Sequence, residues 1–336
     1  MQNNFLPALR CMTTNFEISG MHARTTERLL PLAERWGVQA FPELQDVDFS
    51  AVDVVAISVP TAQNAAVLQS LAPYSARLIV VIDTPVAWTR NELAACSRAL
   101  RQFKRVLVTE DYMNFPPFAL LRRAVKDGLI GSLQGITLYN IGFLYHGLAL
   151  MRSFCGFQRV KRTRCLSAGS LCKVVGYSLA RGYKGIVVTP YRRHTTGGIT
   201  IEGTKGILTE FPGDSAFASG GGRPVYCLSG HRDSDGLLSG FSIDTPGTEY
   251  SISLPAVRAM AAMDFPDKSD LNLLRGCGLM HVFQALHEPE NLNNSYGPAN
   301  AFYDSFVPRI AQRGLLPVDP FTWFGSDVVG VLRTFS

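Results

Sequence analysis

The sequence predicts an α/β protein: an incomplete parallel-sheet domain followed by an α+β domain with a mostly antiparallel open sheet. Three observations carry that prediction. Short apolar runs alternate with helical segments over the first third of the 336 residues, a hairpin pattern replaces them further on, and the first strand signal is preceded only by one amphipathic segment.

The apolar runs are Asp53–Val59, Leu78–Ile82 and Arg105–Thr109. Each is β-branched and apolar on both faces, as in strands covered on both sides within a parallel sheet. Between them lie a helical segment over Ala62–Leu71 and another that opens on Thr89-Arg90-Asn91-Glu92, a capping box, and runs to about Phe103. Strand, helix, strand, helix, strand is the order of right-handed βαβ units. Upstream, Phe16–Gly20 reads as a strand and Thr26–Trp36 as a helix, with Gly37 just past its end. Before that strand there is only the amphipathic segment Asn4–Cys11.

From about Pro116 the pattern changes. Phe118–Gly128 reads as a helix and Gly135–Ile141 as a strand, and Gly198–Leu208 forms a hairpin whose glycines supply the turn. Phe211–Gly240, rich in Gly, Ser and Asp, reads as loops, and an apolar terminal helix is expected over Trp323–Leu332.

Composition narrows the function classes. Hydrophobic residues at 46% and charged residues at 18% describe a globular chain rather than a disordered one. The formal charge of +5 is spread along the chain in short basic clusters such as Arg122-Arg123 and Arg192-Arg193, which argues against nucleic-acid binding. No apolar run reaches the roughly 18 residues of a membrane span, and the N-terminus lacks signal-peptide features, so a cytoplasmic setting is expected. Seven cysteines show neither C-x-x-C nor Cys/His ligand spacing. No metal site or disulfide framework is therefore expected, and most are read as buried thiols.

Several segments then fall into a familiar order. They are Val59-Pro60-Thr61 after a strand, Val108-Thr109-Glu110-Asp111-Tyr112 before Pro116, and the helix exit Lys126-Asp127-Gly128-Leu129-Ile130-Gly131. His146 with Arg152 and Gly156 follows, then the hairpin Glu202-Gly203-Thr204-Lys205-Gly206. In that order they resemble the Gfo/Idh/MocA family from about Phe5 onward. The resemblance implies a Rossmann-like dinucleotide-binding domain over residues 1–115, and a substrate and oligomerisation domain over 116–336. It implies an NAD(P)-dependent oxidoreductase acting on a sugar-like or cyclic small molecule, dimeric through the C-terminal sheet.

The same resemblance exposes departures. The family's first strand and G-x-G-x-x-G turn, where backbone N–H groups hold the pyrophosphate, have no counterpart here, as expected of a degenerate or an N-terminally truncated member. Asp83-Thr84-Pro85 stands where Glu-Lys-Pro is usual, and threonine cannot act as a cationic proton donor. Gly142 and Ala149 replace aspartates flanking the histidine, and Asn64 replaces a histidine. In the Rossmann order the first strand is central. Without it, neighbouring strands carry unpaired backbone groups at about 1–3 kcal/mol each, against a domain stability of about 5–15 kcal/mol. Another segment or a partner chain is expected to fill the gap, or the sheet to close in a different order.

The candidate cofactor contacts implied are Arg24, Thr25, Pro60, Thr61, Asn64, Asp83, Thr84, Pro85 and Glu110. Arg24 stands where an arginine meets a 2′-phosphate, which favours NADP over NAD; a solvated charge at a helix start is the alternative. His146 is the candidate general acid or base, with Tyr145 and Glu110 as further catalytic candidates. In a helix Tyr145 and His146 point about 100° apart, so only one faces a pocket directly. Arg192 and His194 lie on one side of an extended segment as a possible anion clamp, against a solvent-facing reading. Gly220–Pro224 reads as a flexible loop, and Gly276-Cys277-Gly278 as close helix packing. No G-x-S-x-G elbow is present. Two other functions stay open beside the oxidoreductase: a non-redox ligand-binding, scaffolding or regulatory protein, and a cofactor-independent lyase or cyclase using the C-terminal pocket.

Overall fold

The structure, a computed structural model, describes residues 3–141, 143–168, 172–189, 198–210, 222–287 and 296–312. The N-terminal part begins with helix α1 (Phe5–Arg10), strand β1 (Gly20–His22), helix α2 (Thr26–Trp36) and strand β2 (Gln39–Phe41). Strand β3 (Val54–Ile57), helix α3 (Thr61–Ser70), strand β4 (Ile79–Asp83), helix α4 (Arg90–Leu100) and strand β5 (Arg105–Thr109) complete it. The βαβ units follow the sequence closely because each signal is local. Thr89 accepts from the Glu92 amide while the Glu92 carboxylate accepts from the Thr89 amide, so the capping box forms as expected.

The parallel strands fall into two pieces. β1 pairs with β2, and β3, β4 and β5 pair in that order, all parallel. Among the described residues no strand is hydrogen-bonded between the pieces, so the sheet has not closed in another order. The three-stranded piece is apolar on both faces, as the runs predicted. Val80 and Ile82 face the core formed with Leu68 of α3 and Leu93 and Cys96 of α4. Val81 and Leu107 face a second core with Phe5, Ala8 and Met12.

One strand lies elsewhere than expected. Phe16–Gly20 was read as the strand, but the ladder runs from Gly20 to His22, in register with Gln39 to Phe41. Phe16 instead packs edge-on against Phe283, 5.7 Å between ring centroids, which draws that segment to a helix rather than into the sheet.

The rest of the chain builds one nine-stranded sheet. Its strands are β6 (Leu133–Tyr139), β7 (Val160–Ala168), β8 (Cys172–Leu179), β9 (Lys184–Thr189) and β10 (Gly198–Gly203). They continue with β11 (Ile207–Thr209), β12 (Val225–Arg232), β13 (Leu238–Ile243) and β14 (Tyr250–Ser253), in the order β14-β13-β12-β11-β10-β6-β9-β8-β7. All neighbours are antiparallel except β6 with β9 and β11 with β12. The hairpin of β10 and β11 is as predicted. A Cβ on its Gly203 would meet the Ile130 carbonyl oxygen at 2.2 Å, so the close approach requires glycine.

β12 and the start of β13 correct the reading of 211–240 as loops. β12 turns four consecutive exposed residues, from Ser229 to Arg232, to solvent, which dilutes the apolar alternation that marks a strand. The cysteines also differ from expectation: Cys96 and Cys155 are buried, but Cys11, Cys165, Cys227 and Cys277 are only half-buried. The expected helix at 323–332 and the segment 191–194 lie outside the described residues. Among the described residues no helix is long and apolar enough to cross a membrane.

Helices lock the sheets together. α5 (Pro116–Lys126) and α7 (Pro255–Ala261) cover the β13 side of the large sheet. α6 (Leu144–Phe154) lies on the same sheet nearer its centre, with Gly147 against Val187 and Met151 over Gly185. α8 (Asp270–Gln284) returns to the parallel sheet, where Leu279, Val282 and Phe283 complete the second core. Gly276 and Gly278 act as packing residues, as read from the sequence. A Cβ there would come within 2.4 Å of Met260 Sδ and 2.9 Å of the Asp111 carbonyl oxygen.

α9 (Pro298–Gln312) packs on α6 through a buried ion pair, Arg152 with Asp304 at 2.6 Å. Arg152 also donates to the carbonyls of Phe157 and Gln158 and to the Asn300 side chain, and its guanidinium stacks 4.4 Å from the Tyr303 ring. Tyr296 donates to the second Asp304 oxygen. Burial pushes the Asp304 carboxyl up to about 6 while Arg152 opposes that rise. Every polar group of the pair is satisfied, and that is the condition under which a buried pair is tolerated.

Removing one partner leaves a buried charge alone. Asp304→Leu is expected to cost about 3–5 kcal/mol in urea unfolding, and Arg152→Met with Asp304→Leu to recover much of that loss.

Candidate active site

Parallel strands present ligands at their C-terminal ends. Here those ends are tied by Asp83. One of its oxygens accepts from the Thr109 hydroxyl (3.1 Å) and the Thr84 amide (3.0 Å), and the other from Ser58 (3.0 Å). The tips of β3, β4 and β5 are thus fixed to one carboxylate. Burial and the nearby Asp111 raise its pKa, while the Ser58 and Thr109 hydroxyls oppose this.

One residue beyond β5 is Glu110, with no solvent exposure. Its Oε1 lies 2.6 Å from His146 Nδ1, bridging the parallel sheet and α6 across 36 positions of sequence. His146 is itself buried. Burial is the largest influence on the Glu110 carboxyl and raises its pKa, with His146 pulling the other way. A carboxylate on one ring nitrogen fixes the imidazole's orientation and tautomer. With Nδ1 committed to Glu110, Nε2 is the ring's remaining donor or acceptor. Sequence comparison pointed to Gly142 as a missing partner for this histidine. Gly142 lies outside the described residues, but a carboxylate reaches His146 from another element altogether.

Aromatic rings surround the imidazole. Tyr112 stacks on it at 4.9 Å and 17°, and Tyr145 lies 4.2 Å away, tilted by 44°. Phe143 stacks on Tyr145, and Trp88 meets Tyr145 edge-on. Although neighbours on a helix diverge, the Tyr145 and His146 rings are in contact. Burial, then the charge of Glu110, raises the Tyr145 pKa far above its ordinary value, so it stays a neutral hydroxyl. Phe143 is 55% exposed and forms the solvent side of this cluster.

Asp111, beside Glu110, is held by Arg275 of α8 at 2.6 Å. The Asp111 charge is the main influence on Arg275 and raises its pKa. Among the described residues Glu110 Oε2 and Asp111 Oδ1 are buried without a hydrogen-bond partner.

The other sequence candidates divide clearly. The Asn64 amide donates to the Val86 carbonyl and the Thr84 hydroxyl to the Thr109 carbonyl, so both side chains brace the strand-end loops. Pro60 and Thr61 open α3, which has no side-chain cap. The exposed Arg24 and the N-cap residue Thr25 stand before α2, in the two-stranded piece. Pro85, joined to Thr84 by a cis peptide, continues the β4 loop. Arg192 and His194 lie outside the described residues. Arg275, Tyr112 and Trp88 were not anticipated; a lone arginine within the apolar stretch of α8 was the one available sign.

Residues 1–111 match the model of a family described as an oxidoreductase family with an NAD-binding Rossmann fold, GFO_IDH_MocA. No curated protein matches the chain significantly in sequence. Solved structures share the fold over nearly the whole chain. An oxidoreductase from Agrobacterium radiobacter, in complex with NAD+, L-tartaric acid and magnesium, is 13% identical at a TM-score of 0.65, covering 93% of this chain and 95% of its own. Levoglucosan dehydrogenase in complex with NADH and levoglucosan is 14% identical at 0.61, with the same coverage. A super-repressor mutant of Gal80p from Saccharomyces cerevisiae is 12% identical at 0.63, covering 93% and 92%.

Arg275→Ala should leave the Asp111 carboxylate buried without its counter-charge. Because Arg275 is a third exposed, the expected loss is about 1.5–3 kcal/mol, read from a chemical-denaturation curve.

Proposed function

We propose that the chain is an NAD(P)-dependent oxidoreductase of a sugar-like or cyclic small molecule with a non-standard acid–base group; the match of residues 1–111 to the Gfo/Idh/MocA family model and the fold shared with solved oxidoreductases support this reading. The observation that carries this reading is the His146–Glu110 contact at the ends of the parallel strands. Residues 1–115 serve as the dinucleotide domain and 116–336 as the substrate domain.

The residues present fit one part of the cofactor. The first turn of α3 has no side-chain cap, so its amides are oriented to meet an anion. Pro60, Thr61, Asp83 and Pro85 line the strand ends where the nicotinamide half would rest. Arg24 is suited to a 2′-phosphate, which favours NADP, whereas the family description and the levoglucosan dehydrogenase complex name NAD and NADH. The described residues contain no glycine-rich turn for the pyrophosphate.

A nicotinamide held by these residues would supply hydride transfer to or from the substrate carbon. His146 Nε2 takes the proton of the substrate alcohol during oxidation and returns it during reduction. Glu110 keeps the ring oriented and stabilises its cationic form. The lysine role in the family pattern passes to His146, because the Thr84 hydroxyl is engaged by Thr109. The exposed ring of Phe143 offers an apolar face to a ring substrate.

We also propose a homodimer through the large sheet, whose outer face exposes Leu166 (69%) and Ile186 (40%) on β7 and β9. A second reading is a binding regulator without redox turnover. A super-repressor mutant of Gal80p shares the fold, which supports it.

A panel of sugars and cyclic alcohols with NAD+ or NADP+, followed by absorbance of the reduced cofactor, separates the readings. Turnover is expected, with His146→Gln lowering kcat by about 10²–10⁴-fold at little change in cofactor affinity. Cofactor binding without turnover of any panel member would support the regulator. Turnover that needs no cofactor would support a lyase or cyclase.

A further inference from the structure

We propose that Glu110, Asp111 and His146 form a binding site for a divalent transition-metal ion. One oxygen from each carboxylate and one imidazole nitrogen lie within 4.8 Å of one another, and all three residues are buried. Ligands at roughly 2.0–2.2 Å from a common metal ion fall within such a spacing.

Two further observations point to a cation. Glu110 Oε2 and Asp111 Oδ1 are shut off from solvent and have no hydrogen-bond partner among the described residues. Buried acceptors are rarely left in that state without an ion or water to meet them. The guanidinium of Arg275 donates to Asp111 through Oδ2. That contact fixes the Asp111 carboxylate and leaves Oδ1 available, the arrangement by which outer residues orient metal ligands.

The donor set selects the ion. One nitrogen and two carboxylates suit Zn²⁺, Mn²⁺ or Co²⁺, whereas Ca²⁺ seeks six to eight oxygens and soft ions seek thiolates. Three protein ligands also leave coordination positions open to an oxygen ligand. The spacing of these residues in sequence gave no sign of the site, since Glu110 and His146 lie 36 positions apart. A nitrogen of His146 that ligates the ion is not free to move a proton, so the ion and the acid–base role are alternative uses of one residue and are tested separately.

Chelator-treated protein titrated with Co²⁺, without nicotinamide cofactor, tests it. A visible absorption band saturating at about one ion per chain is expected, together with a rise in Tm. Glu110→Gln and His146→Gln should each weaken binding by at least about tenfold. Glu110→Gln preserves side-chain shape, and circular dichroism identifies a variant that has not folded. Absence of saturable binding up to millimolar Co²⁺, or equal binding by the folded variants, would overturn the proposal. Because cofactor is absent, Co²⁺ uptake by a chain that binds no NAD(P)(H) would uphold the metal site and remove the redox reading. Cofactor-dependent turnover without Co²⁺ uptake would do the reverse.

Discussion

The contact between Glu110 and His146 constrains more of the molecule than any other. It connects the residue after β5 to the first turns of α6, and so joins the parallel sheet to the sheet that α6 covers. A fully buried carboxylate is costly unless a hydrogen-bonding or charged partner meets it. That requirement makes the spacing between the two sheets a matter of electrostatics as well as apolar packing. Tyr112 on one side and Tyr145 on the other exclude water from the pair and strengthen its interaction.

The far end of α6 is held with equal definition. Arg152 is satisfied by Asp304, Asn300 and two backbone carbonyls, and α9 is thereby fixed against α6. On the other face of the parallel strands α8 supplies both apolar cover and Arg275. The small residue Gly278 allows the close approach of α8 to the Asp111 backbone, beside which Arg275 reaches the Asp111 carboxylate. α6 and α8 therefore each deliver a polar group to the strand ends while closing the core. Packing and site geometry are one problem here.

Local signals made much of this legible in the sequence. β5 and α2 fall on their expected residues, and the capping box and hairpin form because their determinants lie within a few positions. β1 was displaced because a three-residue strand is defined by its partner rather than by its own pattern. β12 was missed because its second half faces solvent. The site follows the same division. His146 and Glu110 were each marked as catalytic candidates. Their contact depends on how α6 crosses the sheet, which no spacing encodes. Arg275 reaches Asp111 from 164 positions away. Thr84 and Asn64 were marked as cofactor contacts, yet their side chains brace loops, a role visible only once the neighbouring carbonyls are in view.

The account centres on His146, held by Glu110, as the group that meets substrate beside the nicotinamide. A crystal structure of the chain with NAD(P)H bound measures this most directly. The account predicts the nicotinamide ring over the ends of β4 and β5, with His146 Nδ1 still on Glu110 and Nε2 turned toward the ring's reactive face. A dinucleotide seated away from these strand ends, or an imidazole with Nε2 directed into the protein, would contradict it.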